Sequence, residues 1–288
     1  MLTHRILTVC LALAAAVAWA ETDTARLDAV LAAQPAEVQA RYAARHPSET
    51  LAFFDVAPGA TVIEAFPGDG WYTRILAAYL GPDGRLVGAD YALDMYPRFG
   101  FFTLGQVQAR ERWVQEWVEG AAEWQGPEDA LLSAFVFGSM PEALHGAADA
   151  VLFIRSLHNL ARFEADGGYL TAALQDAWNA LKPGGVAGVV QHLAREYMPD
   201  EWADGSNGYL KEAFVIERFT AAGFEFVGRS GTNFNENDVP GSEARVWRLP
   251  PTLATSRGNP ERREAMEAIG ESHRMTLKFR KPESKEAP

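Results

Sequence analysis

Short apolar runs separated by amphipathic stretches set the pattern of this chain. Residues 61–66, 131–137, 149–155 and 186–193 are apolar almost without interruption, as strands covered on both faces must be. Residues 85–90 and 224–228 read as two further strands, and 275–281 as a last short one. Between them the apolar positions recur at helical spacing over 71–80, 104–124, 163–181 and 208–222. Val107, Val114, Trp117, Val118, Ala121 and Trp124 share one side of the second of these, which reads as packing. Gly81-Pro82-Asp83-Gly84, Lys182-Pro183-Gly184-Gly185 and Gly223 supply stop signals. Alternation of strand and helix predicts a parallel sheet with helices on both faces. No helical pattern separates the sixth and seventh strands, so the seventh is expected to run antiparallel.

Outside this frame, Leu27, Val30, Leu31 and Val38 predict helix over 23–46, with Pro35 opening a second segment. Ser48 is placed to cap a short helix over 49–54. This N-terminal part is expected either to pack on the sheet or to close over a ligand. Residues 229–274 are polar and irregular, with Asn233, Asn235 and Asn237 alternating and prolines scattered, as in a lid or insertion. The expected division is a leader at 1–20, a helical segment at 21–60, a main domain at 61–282 and a frayed tail at 283–288.

The leader changes the picture of where the chain works. Arg5 precedes an apolar run from Ile6 to Val17, and Ala18-Trp19-Ala20 offers small residues for cleavage. That is the layout of a signal peptide, too short for a comfortable membrane span. Export to the periplasm is the expectation, with no membrane span after cleavage. Cys10, the single cysteine, lies inside the leader, so neither a disulfide framework nor a thiolate metal site is expected. The net charge of −12 repels phosphate backbones and argues against nucleic acid as a partner.

The chemistry gathers at 61–90. An apolar strand carries Glu64, a turn holds Gly68 and Gly70, a helix follows, and the next strand ends in Asp90. Strand, glycine turn, helix, strand and acid build a nucleotide site in parallel α/β proteins. Asp90 offers two acceptor oxygens, which suits a ribose diol, or else it caps a turn. Asp69 either caps the following helix or lends charge to a ligand.

With these residues in view, the chain resembles the class I, Rossmann-like S-adenosylmethionine-dependent methyltransferases over roughly 48–228 plus the last strand. It looks most like an exported group within them. The resemblance is carried by His46-Pro47-Ser48-Glu49-Thr50-Leu51, Phe66-Pro67-Gly68-Asp69-Gly70-Trp71-Tyr72-Thr73, Leu157-His158-Asn159, Lys182-Pro183-Gly184-Gly185, Trp247-Arg248-Leu249-Pro250-Pro251 and Phe279-Arg280-Lys281-Pro282. It implies an α/β fold with a seven-stranded, mostly parallel sheet and an antiparallel last strand. It also implies S-adenosylmethionine as cofactor, with Glu64, Gly68, Gly70 and Asp90 at its methionine and ribose parts. Ser139 and Met140 stand where the family meets adenine. Phe66 departs from the family's first glycine, and its ring either fills space under the turn or crowds the ligand.

At the reacting end, the fourth strand leads into Arg155-Ser156-Leu157-His158-Asn159 and the fifth ends in Gln191-His192. Ligands bind at the carboxyl ends of parallel strands, so His158 and His192 are expected to face one cavity. Either histidine suits proton removal from a methyl acceptor, and Asn159 would orient that acceptor. The alternative is that His158 and Asn159 are polar groups satisfied within the loop. Arg155 is expected to hold an anionic substrate or to pair with Glu64 or Asp149. Tyr72 would hydrogen-bond in the same cleft or pack. The histidine pair with a carboxylate is a weaker candidate for a metal. The partner expected is a small molecule. Two alternatives stand beside methyl transfer. One is an exported ligand-binding module with the fold and no catalysis. The other is an NAD-type oxidoreductase, because Asp90 follows Gly70 at the dinucleotide separation. No Gly-x-Ser-x-Gly elbow supports a hydrolase.

Overall fold

Seven strands form one sheet in the order β3-β2-β1-β4-β5-β7-β6. They are β1 (Thr61–Ala65), β2 (Arg85–Asp90), β3 (Leu131–Val136), β4 (Ala148–Ile154), β5 (Leu181–His192), β6 (Glu225–Ser230) and β7 (Arg274–Arg280). The protein is seen here as a computed structural model that describes residues 22–123 and 125–283. The leader, Glu21, Trp124 and residues 284–288 of the tail lie outside the described residues. β1 pairs in parallel with β2 on one side and β4 on the other, and β7 runs antiparallel between β5 and β6. The strand order reverses at β1 and β4, which opens a crevice at their carboxyl ends.

Two apolar layers cover the sheet. On one face, the N-terminal helices and the helix Trp71–Leu80 bury Leu27, Leu51, Phe54, Ile75, Leu76 and Tyr79 against β1, β2, β4 and β5. Phe54 explains the glycine at 188 in β5, where a Cβ would come within 2.7 Å of its ring. On the other face, the helices Tyr169–Ala180 and Glu212–Ala221 bury Leu174, Val215 and Phe219 against Phe153, Leu277 and Phe279. The N-terminal segment is thus part of the core.

Several elements differ from the sequence expectation, each for a local reason. The stretch 23–46 divides into Thr24–Ala33, Ala36–Gln39 and Tyr42–Arg45, with Pro35 separating the first two and a left-handed His46 ending the third. Pro47 opens the helix Pro47–Phe53, and Ser48 bonds Asp28 instead of capping. The stretch 104–124 breaks into Leu104–Ala109 and Trp113–Ala122, joined by a 3₁₀ turn. Trp117 packs on Gly88 of β2. The segment 229–274 is not wholly irregular, since it contains the helix Pro260–Ile269. Asn259 caps that helix, Pro260 starts it and Arg263 pairs with Glu267. With no buried face, it has no apolar stripe to read. The segment after β4 turns at once into the helix Leu157–Arg162, which puts His158 and Asn159 in its first turn.

Candidate functional site

The glycine turn follows β1 as expected, with Phe66, Gly68 and Gly70 all at positive φ (57°, 59° and 75°). Phe66 therefore holds a glycine conformation with a bulky side chain, at a cost on the order of 1–3 kcal/mol. Its ring stacks on Tyr91 with centroids 4.1 Å apart and leans on Phe137 at 5.2 Å. Asp69 is exposed, and the helix starting at Trp71 has no side-chain cap.

Both acids of the nucleotide pattern are buried and occupied. Glu64 accepts a hydrogen bond from Thr73 at 2.7 Å. Burial pushes its pKa up to about 7, with the Thr73 bond opposing. Asp90 accepts a hydrogen bond from the hydroxyl of Tyr96, and burial raises its pKa against that bond. In this structure Phe66 is stacked on Tyr91 and Asp90 is held by Tyr96, so an adenosyl group at this turn would meet both contacts. The receiving backbone is in place, because a Cβ built on Gly68 meets nothing nearer than 4.0 Å. Ser139 is exposed in a groove of about 410 Å³ with Asp94 and Tyr169, while Met140 packs against the core.

The Glu64 burial predicts a pH dependence of stability. Its folded pKa lies above the unfolded value, so its contribution is complete below about pH 4.3 and is lost as pH rises through 7. The loss is on the order of 3 kcal/mol. Denaturation of the wild type and of Glu64→Gln at pH 5 and pH 8 checks this. The wild type should lose more stability on going to pH 8 than the variant; equal losses would mean Glu64 is not held protonated.

A second cavity, of about 250 Å³, sits at the carboxyl ends of β4 and β5. Tyr91, Asn159, His158, His192, Arg155 and Glu271 line it, under a wall formed by Trp247, Pro250 and Pro251. The His158 and His192 rings are 5.4 Å apart. Gln191 fixes the tautomer of His158. Its amide nitrogen donates to the carbonyl of Gly208 at 2.9 Å, so its oxygen faces His158 Nδ1 at 3.3 Å. Nδ1 therefore carries the proton and Nε2 keeps a free lone pair. Burial lowers the His158 pKa to about 4, with Arg155 and Arg162 adding to it against the Gln191 bond. His192 is held well below its ordinary value by burial and by His158, and its Nδ1 meets Ser272 Oγ at 2.5 Å. Both imidazoles are neutral near pH 7.

Asn159 donates to the Tyr91 hydroxyl at 2.8 Å, which ties the histidine turn to the end of β2. Arg155 does not pair with Glu64 or Asp149. It approaches Glu271 at 3.7 Å, while Asp149 pairs with Lys182 at 2.6 Å. The reason is position: Asp149 sits at the start of β4 and Arg155 follows its end. Tyr72 is buried, with its hydroxyl 3.4 Å from the Arg45 carbonyl. Sequence reasoning missed Gln191, Glu271, Arg41, Arg45 and Arg274 as site residues. A glutamine inside an apolar strand was the one available signal; the others meet only through the fold. Among the described residues, no group of three His, Cys, Asp or Glu is arranged to hold a metal, and no helix is long and apolar enough to cross a membrane.

Neither a family model nor a curated protein matches the chain. Solved structures do. A chain from the complex between the Haloferax volcanii Trm112 methyltransferase activator and a candidate methyltransferase is 17% identical, with 92% of this chain and 99% of that chain covered and a TM-score of 0.52. The cyclase SpnF is 19% identical over 83% of this chain and 82% of its own, with a TM-score of 0.51. An S-adenosylmethionine-dependent methyltransferase from Aquifex aeolicus is 12% identical over 91% and 100%, with a TM-score of 0.48. The chain has the Rossmann-like fold of class I methyltransferases. The oxidoreductase alternative finds no support among these structures.

Proposed function

We propose that the protein transfers a methyl group from S-adenosylmethionine to a small molecule seated above β4 and β5. One observation carries this reading. The cavity runs from Tyr91, next to the acid of β2, to His158, whose bare Nε2 is ready to accept a proton. The fold alone leaves the reaction open, since one similar chain is named a cyclase.

In this reading S-adenosylmethionine supplies an electrophilic methyl on a cationic sulfur. Asp90 holds the ribose hydroxyls, and Glu64 with the backbone at Gly68 and Gly70 holds the methionine part. His158 Nε2 takes the acceptor's proton, Asn159 orients the acceptor, and His192 walls the same space. The −12 net charge disfavours a nucleic-acid acceptor. The leader at 1–20 would direct the chain to the periplasm.

Calorimetry with S-adenosylmethionine and S-adenosylhomocysteine tests the binding half. The Phe66–Tyr91 stack must open, and such a pair contributes about 0.5–1.5 kcal/mol. Phe66→Gly should therefore tighten S-adenosylhomocysteine about 2- to 10-fold, and Asp90→Ala should abolish binding. A second reading rests on the same stack and on the Tyr96 bond to Asp90: a ligand-binding module in which protein side chains fill the cofactor slot. Absence of binding in both the wild type and Phe66→Gly would favour the module. NAD in the same titration tests the oxidoreductase alternative.

A further inference from the structure

We propose that the cavity seats a small oxyanion, a carboxylate or phosphate group, at Arg155 and Ser156, beside the buried arginine cluster to which Arg155 belongs. On the methyl-transfer reading, to which this adds a substrate class, the oxyanion belongs to the acceptor.

Four guanidinium groups converge on one carboxylate. Arg41 and Arg45 come from the N-terminal helices, Arg155 follows β4, and Arg274 opens β7. All four meet Glu271, which donates no proton and carries a single charge. Arg45 and Arg274 are each 2% exposed. Buried charges are normally paired, and here the cations outnumber the anion in a chain that is acidic as a whole. Arg45 also lies over the Trp71 ring at 4.4 Å, a contact that leaves its charge unneutralised.

The hydrogen bonds are incomplete in the same place. Arg45 Nη1, Arg155 Nε, Arg274 Nε and Ser156 Oγ are buried and lack a protein partner. Buried polar groups are rarely left so. Water can complete a hydrogen bond, but it cannot neutralise charge. An oxyanion does both, and guanidinium groups match it in shape. Arg155 and Ser156 both line the cavity, whereas Arg45 and Arg274 do not and are joined to it through Glu271, which does. The cavity is smaller than a drug-sized site, so the ligand is small.

Two further features agree. Arg155 sits at a φ of 60°, a strained conformation for a non-glycine residue, and such strain collects at ligand sites. Burial, with the neighbouring arginines adding to it against Glu271, lowers Arg45 to about 9 and Arg274 to about 10. The cluster repels its own charge and would gain from an added anion. Its counterion Glu271 is held ionised: burial pushes its pKa up, and the four arginines outweigh that.

The test is calorimetry and thermal melting of the protein with potassium phosphate and with sodium malonate, against chloride at equal ionic strength. Each titration is run with and without saturating S-adenosylhomocysteine. Phosphate or malonate should raise the melting temperature above the chloride control. Arg155→Gln should weaken that binding about tenfold or more, the loss of a charge-assisted hydrogen bond. Ser156→Ala removes a hydroxyl with no internal partner and leaves the fold intact; it should weaken binding about 2- to 10-fold. Anion affinity should be unchanged by S-adenosylhomocysteine. No effect beyond chloride, or full affinity in Ser156→Ala and Arg155→Gln, overturns the site. Displacement of the anion by S-adenosylhomocysteine overturns its assignment to the acceptor. Anion binding without S-adenosylhomocysteine binding keeps the anion site and removes the methyl-transfer reading.

Discussion

His158→Gln is expected to lower methyl transfer by about 10²–10⁴-fold, the usual span for a lost general base, while S-adenosylhomocysteine affinity stays unchanged. Glutamine keeps a polar group of similar reach and removes the basic lone pair. The geometry makes this specific. Gln191 holds the proton on Nδ1, so Nε2 is the nitrogen that can accept. Burial places the His158 pKa at about 4, so the ring stays unprotonated at neutral pH. The acid limb of the kcat/KM profile should accordingly fall near pH 4, well below the ordinary histidine value near 6.5. The readout is release of S-adenosylhomocysteine with a panel of small carboxylate- and phosphate-bearing acceptors. A variant with undiminished turnover would remove His158 from the chemistry. A loss confined to cofactor affinity would make it a binding residue instead.

Asp238→Ala is expected to destabilise the fold by about 3–5 kcal/mol, the range for breaking a buried ion pair on one side. Asp238 is fully buried and accepts from Arg248 at 2.6 Å, from Tyr209 at 3.0 Å and from the backbone N–H of His273 at 3.0 Å. Removing it leaves the Arg248 guanidinium, only 11% exposed, without its carboxylate. The Arg248 and His273 bonds tie the long segment between β6 and β7 to itself, and the Tyr209 bond ties it to the main domain. Trp247, beside Arg248, is a wall of the cavity. Urea unfolding should show the loss, and limited proteolysis should cut the variant faster within 229–274. Wild-type stability in Asp238→Ala would show that other contacts hold this segment.

The consequence for function is that the cavity is a joint product of distant segments. Its floor comes from the ends of β4 and β5, its wall from 246–252, and its charged end from Arg155 and Glu271, the latter held by arginines of the N-terminal segment and of β7. Cross-chain contacts such as Arg45 with Glu271 span most of the sequence. Arg155 likewise approaches Glu271, far along the chain, and pairs with neither Glu64 nor Asp149.

The sequence by itself determined the sheet. Apolar runs covered on both faces, glycine stops and alternating helices dictate a parallel α/β layer, because each pattern answers to local burial and turn geometry. It also marked Glu64, Gly68, Gly70, Asp90, His158 and His192 as lying at strand ends, where such folds carry their chemistry. It missed the helix Pro260–Ile269, which is made by its caps and not by an apolar face. Only the tertiary structure decided how those groups are used. It stacked Phe66 on Tyr91, turned Asp90 toward Tyr96, fixed the His158 proton through Gln191, and gathered four arginines on Glu271. Those arrangements depend on contacts between residues far apart in the chain, and no periodicity or spacing records them.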